Sequence, residues 1–160
     1  MHWGVYERTV LLSLAEYGVG TDVLERLMDL NTVTKKGWYG AGTNGSTSLK
    51  QVLKCVMQES GVLERLYGEE GEGYSGGNFD EVVWWKKRPD GKVADPYSLL
   101  AAGEKGVSDG AGAAAAYAAV RRGSGDREEV ERVLKMYCEV DTLGMVMVYQ
   151  ALAEFAEEGS

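Results

Sequence analysis

Tyr137-Cys138-Glu139-Val140-Asp141-Thr142-Leu143-Gly144-Met145-Val146-Met147-Val148 is the stretch that decides the reading of this chain. It lies inside a long helical pattern predicted over residues 127–155, opened by Asp126 as an N-cap. The first turns are amphipathic, with charges at Arg127, Glu128, Glu129, Glu131 and Arg132. From Val133 onward the pattern is apolar nearly all round, which predicts a helix buried on every face. Two carboxylates, Glu139 and Asp141, fall within that run. A buried carboxylate is costly unless it is paired, hydrogen-bonded or bound to metal. Tyr137 and Asp141, four residues apart, share one helix face one turn apart. A carboxylate there can hold a divalent cation, and a phenol can orient a metal-bound water for attack on a phosphodiester. Spacing alone also admits a plainer account, with Tyr137 a core aromatic and Asp141 the cap of a helix restarting at Thr142.

Upstream, Asp109 precedes an Ala-rich helix expected over 112–122. Residues 82–97 read as a β-hairpin insertion around Pro89-Asp90-Gly91, where Pro sets φ and Gly accepts the left-handed position. The Gly-, Glu- and Ser-rich stretch 68–77 reads as a flexible loop. Ser48 and Gln51 form a capping box for a helix that runs to about Met57. The stretch 37–46 reads as a loop, 30–34 as a short strand, 23–28 as a short helix and 5–17 as a longer one.

The chain has 160 residues, which suits a single domain over 1–160. It has no apolar run approaching the ~20 residues of a membrane span and no signal-peptide pattern at its start; both features favour the cytoplasm. Cys55 and Cys138 sit in apolar helical patterns and read as buried free thiols. His2 is the only histidine, so a Cys/His zinc site has no ligand set. Any metal here would need oxygen ligands, which suits Mg²⁺ or Mn²⁺. The net charge of −8 counts against broad, nonspecific binding to phosphate backbones. No phosphate-binding Gly-rich loop of the usual pattern is present, and no Ser/His/Asp set is possible with His2 alone.

Tyr137–Val148 resembles the terminal motif of an uncharacterised bacterial family similar to RNase H-like DEDDy exonucleases, whose domain accompanies a RecB-like nuclease segment in longer proteins. Gly45-Ser46-Thr47-Ser48-Leu49-Lys50-Gln51-Val52-Leu53, Asn78-Phe79-Asp80-Glu81-Val82-Val83-Trp84-Trp85, Asp95-Pro96-Tyr97-Ser98-Leu99-Leu100 and the run from Asp109 to Tyr117 resemble further segments of that family, in the same order. The resemblance covers nearly the whole chain. It implies an α/β fold that is mostly helical as present, an incomplete RNase H-like fold lacking its first strands. It implies a metal-dependent 3′–5′ exonuclease-like function with Mg²⁺ or Mn²⁺ as cofactor and a nucleic acid with a free 3′ end as substrate. By the same resemblance Tyr137 takes the catalytic role and Asp141 binds metal. Glu7, in His2-Trp3-Gly4-Val5-Tyr6-Glu7, stands where the second motif has its acid. Lys86, Lys87, Arg88 and Lys92 on the hairpin become candidate phosphate contacts, with Trp84 or Trp85 to stack on a base; the plainer account, which the residues favour, is a solvated turn with core tryptophans. The first motif, Asp-x-Glu on an opening strand, is absent from this sequence. The expectation is therefore a fragment or degenerate form, inactive alone. The alternative is a non-catalytic interaction module that docks on a RecB-like nuclease.

Overall fold

A computed structural model describes residues 9, 12–13, 17–18, 28–71, 73–101, 110–124 and 126–159. The predicted helices over 5–17 and 23–28 lie mostly outside these residues; Thr9, Leu12 and Ser13 are helical. The chain divides into two compact units, residues 1–55 and 56–160.

In the first unit, α1 spans Leu30–Gly37. The sequence predicted a strand over 30–34 from its β-branched residues, and the helix is a correction. Asp29 decides it. Its carboxylate accepts from the backbone N–H groups of Asn31 at 3.0 Å and Thr32 at 3.3 Å, and from the Thr32 hydroxyl at 2.9 Å. Thr34 satisfies its own hydroxyl by donating to the Leu30 carbonyl at 2.7 Å. A 3₁₀ turn over Ala41–Thr43 follows, then two left-handed residues, Asn44 (φ 51°) and Gly45 (φ 78°), that reverse the chain. Ser48 then caps α2, Leu49–Glu59, accepting from Gln51 N–H at 3.4 Å, but the return half of the expected capping box is corrected: Ser48 N–H donates to Ser46 Oγ at 3.3 Å and not to the Gln51 side chain. The unit boundary falls within α2. Val52, Leu53 and Cys55 are buried on the first side of it, Val56 and Met57 on the second.

The second unit is built on α6, the 32-residue helix Arg127–Glu158. Asp126 caps it as expected, accepting from Glu128 and Glu129 N–H. Its buried residues, Val133, Tyr137, Val140, Leu143, Gly144, Met147, Val148 and Ala151, recur at three- and four-residue spacing. The expectation of burial on every face is thus corrected: Val146 and Tyr149 are 44% and 53% exposed. Three short helices pack against it: α3, Gly61–Tyr67; α4, Pro96–Ala101; and α5, Gly110–Arg121. α3 and α4 were not predicted, yet each carries a plain start signal. Ser60 caps α3, accepting from Leu63 N–H at 3.1 Å. Asp95 accepts from Tyr97 N–H at 3.0 Å, with Pro96 in the first helical position.

Residues 68–95 run between α3 and α4. The stretch expected to be a flexible loop is tied at Tyr74, which exchanges backbone hydrogen bonds with Val82 at 2.8 and 2.9 Å. The hairpin keeps its turn at Pro89-Asp90-Gly91, closed by Arg88 N–H to Lys92 O at 2.8 Å. Pairing stops at the Lys87–Val93 bridge, closed on its far side by Ala94 N–H to Lys86 O at 2.8 Å, and the outward-facing backbone groups are held by other segments. Trp85 N–H donates to Tyr67 O at 2.8 Å, and the Gln58 amide spans both Val93 N–H and Val93 O. Among the described residues there are only two isolated antiparallel bridges, Tyr74–Val82 and Lys87–Val93, and no strand. The fold described is mostly helical, so the α/β expectation is corrected to that coarser statement. No helix among these residues is long and apolar enough to cross a membrane.

The core stripe of α6 carries the second unit's packing, so neighbouring α6 positions should respond very differently. Met147→Ala is expected to lower unfolding free energy by about 2–5 kcal/mol, and Val146→Ala by no more than about 0.5 kcal/mol. Urea titration followed by circular dichroism checks both.

Candidate functional site

Tyr137 and Asp141 lie on one face of α6, and the structure brings a third side chain to them. Tyr97, in the first turn of α4, donates its hydroxyl to Asp141 Oδ1 at 2.5 Å. The Tyr97 and Tyr137 rings lie 6.1 Å apart at 52°. Both tyrosines are buried, and Asp141 is half-buried. Burial is the first cause that pushes the Tyr97 phenol well above its ordinary pKa. The hydrogen bond to Asp141 and the negative charges of Asp141 and Asp95 push it the same way. Tyr97 is therefore a neutral donor, with Asp141 its acceptor.

The second carboxylate of the apolar run is also engaged. Glu139 accepts from the Tyr74 hydroxyl at 3.0 Å and from Asn78 Nδ2 at 2.5 Å, so it clamps the 73–82 segment onto α6. The helix does not restart at Thr142. It continues unbroken, and the Thr142 hydroxyl donates back to Cys138 O at 3.0 Å. Cys55 is buried and outside any disulfide, as expected; Cys138 is also outside any disulfide but exposed, a correction that follows from the uncovered side of α6.

Glu7, the other predicted metal ligand, lies outside the described residues, as does His2. Among the described residues no three His, Cys, Asp or Glu side chains gather where they could hold a metal ion. Asp141 offers one carboxylate with one oxygen taken by a phenol, whereas Mg²⁺ demands near-octahedral oxygen coordination. The described residues by themselves do not fit an Mg²⁺ or Mn²⁺ site.

The predicted nucleic-acid residues lie on the exposed 86–92 turn. Lys87 stands 3.7 Å from Glu64 and over the Trp85 ring at 4.9 Å; Arg88 stands 3.5 Å from Asp90. Trp84 and Trp85 are 1% and 8% exposed, so neither offers a face to a base. Trp85 donates its indole N–H to Met57 O at 2.8 Å, and Trp84 meets Phe79 edge to face at 5.0 Å. The stacking role is therefore corrected to a core role.

Two features escaped the sequence reading. Tyr97 lies in the 95–100 segment that carries the family resemblance; the Asp95-Pro96 cap signature was the available sign that a helix begins there. The other is the surface of α5. It holds seven alanines, Tyr117 and Val120, and none of its residues is buried. Tyr117 is 57% exposed. Between α5 and α6 runs a groove of about 430 Å³, floored by Val120, Val130 and Leu134, with Tyr117 and Cys138 on its walls.

Comparison with protein-family models, with curated proteins and with solved structures finds no match to this chain.

Because Tyr97 keeps its proton in the folded state beyond the pH at which a free phenol loses it, the unfolded chain holds fewer protons above about pH 10. Stability from this group is complete below that pH and is expected to fall above it by about 1.4 kcal/mol per pH unit. Tyr97→Phe should cost about 2 kcal/mol near neutrality by removing a charge-assisted hydrogen bond and should make the alkaline decline shallower. Tyr67 and Tyr74, also raised chiefly by burial, would retain the rest of it. Urea midpoints measured from neutral to strongly alkaline pH test both parts.

Proposed function

We propose that this chain acts as a non-catalytic interaction module of the RNase H-like, DEDDy exonuclease-like kind, docking on a RecB-like nuclease. The observation that carries this reading is α5. A twelve-residue helix of alanines with one tyrosine and one valine gains little from solvent, and here it buries none of its residues. It lines an open groove with α6 whose floor is aliphatic and whose edge carries Arg127, Glu131 and Lys135. An aliphatic floor, an exposed tyrosine and a charged rim are the ordinary anatomy of a protein interface. The Tyr97–Asp141 bond supports the non-catalytic part, since it gives the carboxylate in the apolar run a structural employment.

A second reading, a metal-dependent 3′–5′ exonuclease-like hydrolase, has one observation in its favour. Tyr137 and Asp141 do share a face of α6, with the carboxylate half-buried and not sealed. Calorimetric titration with Mn²⁺ separates the two. The module reading expects no saturable heat from the wild-type chain. Saturable binding that disappears in Asp141→Ala would put the hydrolase first. On the docking side, capture of a RecB-like nuclease segment should weaken roughly ten-fold or more in Tyr117→Lys, as for an interface aromatic anchor; unchanged capture would count against α5 as the surface.

A further inference from the structure

Charge is divided unevenly between the two units. Residues 1–55 carry six basic and five acidic side chains; residues 56–160 carry eleven and twenty. Within the first unit the contrast sharpens. Residues 28–55 hold Lys35, Lys36, Lys50 and Lys54 against one acid, Asp29, whose carboxylate is occupied in capping α1. The net charge of the whole chain, read from the sequence, hides this basic stretch.

The same stretch contains a pocket of about 330 Å³ in which Lys35, Trp38, Tyr39, Gly45, Ser46 and Thr47 take part, and among the described residues no carboxylate lines it. The open groove beside α3, by contrast, is lined by Glu64, Glu69 and Glu70 along with Arg65 and Lys87. Tyr39 is 80% exposed, so its ring adds almost nothing to the core. The left-handed pair Asn44 and Gly45 turns the chain so that the hydroxyl residues Ser46 and Thr47 line the pocket with Lys35. A cation, hydroxyl donors and an exposed tyrosine ring beside a half-buried tryptophan, in a pocket with no acid among its described residues, are the groups that bind a phosphate and stack on an unpaired base.

We propose that this pocket is a contact site for single-stranded nucleic acid. Lys35 and the hydroxyls of Ser46 and Thr47 take a backbone phosphate, and Tyr39 stacks on the adjoining base. A duplex is the wrong partner, because its bases present edges and no free face. The site is separate from the lysines of the 86–92 turn. It does not rest on the docking reading: oligonucleotide binding that persists in Tyr117→Lys, where nuclease capture is lost, keeps the two apart.

The test is fluorescence anisotropy of labelled oligo-dT and oligo-U of about a dozen nucleotides, titrated with the full chain in chelator so that no hydrolysis intervenes. Saturable binding is expected. Tyr39→Ala should weaken it roughly ten-fold. Lys35→Glu should weaken it and reduce the slope of log affinity against log salt by about 0.7, one phosphate contact on a single strand. Both side chains are exposed, so the fold should survive, and Lys87→Glu should leave binding unchanged. Binding of only one of the two polymers supports the site and identifies the sugar it accepts. No saturable binding to either polymer overturns the proposal. So does binding that ignores both pocket substitutions, or that is lost in Lys87→Glu.

Discussion

The second unit depends on a row of acceptors along α6. Glu139, Asp141, Gln150 and Glu154 each catch a donor from a segment that precedes the helix. Glu139 takes Tyr74 and Asn78, Asp141 takes Tyr97, and Gln150 takes the Tyr67 hydroxyl at 2.9 Å. Glu154 takes the Ser60 hydroxyl and the Val62 N–H, at the N-terminus of α3. All of the donors are neutral. Three of the four acceptors are carboxylates, so the contacts are charge-assisted hydrogen bonds and not ion pairs. This explains how a unit with twenty acids and eleven bases is held together. These four acceptors use neutral donors, and the unit's ion pairs among the described residues, Lys87–Glu64, Arg88–Asp90, Arg132–Glu129 and Lys135–Glu131, lie at the surface, where such pairs contribute little.

The arrangement also bears on what Asp141 is for. Isolated in a sequence, an aspartate in an apolar run asks for a metal, a partner or a donor. The structure supplies the donor, and it comes from α4, 44 residues earlier. Glu139 received the same treatment from a different loop. Both carboxylates were legible as anomalies, and the sharing of one face by Tyr137 and Asp141 was legible from spacing. The identity of the partner was not, because no local pattern links Tyr97 to Asp141.

The helices read best where a cap met a strong period. Asp126 and Ser48 announced α6 and α2, and the alanine run announced α5. α1 failed because Thr32, Val33 and Thr34 suggest a strand by composition; the Asp29 cap and the Thr34 back-bond outweigh that preference. The hairpin failed as a sheet because its pairing stops at the Lys87–Val93 bridge: Lys92 N–H turns to Asp90 Oδ1 at one end, and α4 begins at Pro96 at the other. The burial of α6 was overestimated because an apolar sequence states what a helix can bury, and the described segments packed on it, three short helices and the 73–82 segment, leave part of its surface open. The pocket near Tyr39 was unreadable from the whole-chain charge, since the acids that set that value are concentrated after residue 55.

The row of acceptors gives α6 a mechanical character. Glu154 and Glu139 stand fifteen positions apart, about 22 Å along a helix. A pull on the end of α6 nearest Glu158 would load the Glu154 contacts first, then Gln150, Asp141 and Glu139 in turn. Loads met one after another yield at far lower force than loads met together. A partner gripping that end could therefore peel the helix from α3, then α4, then the 73–82 segment, in steps.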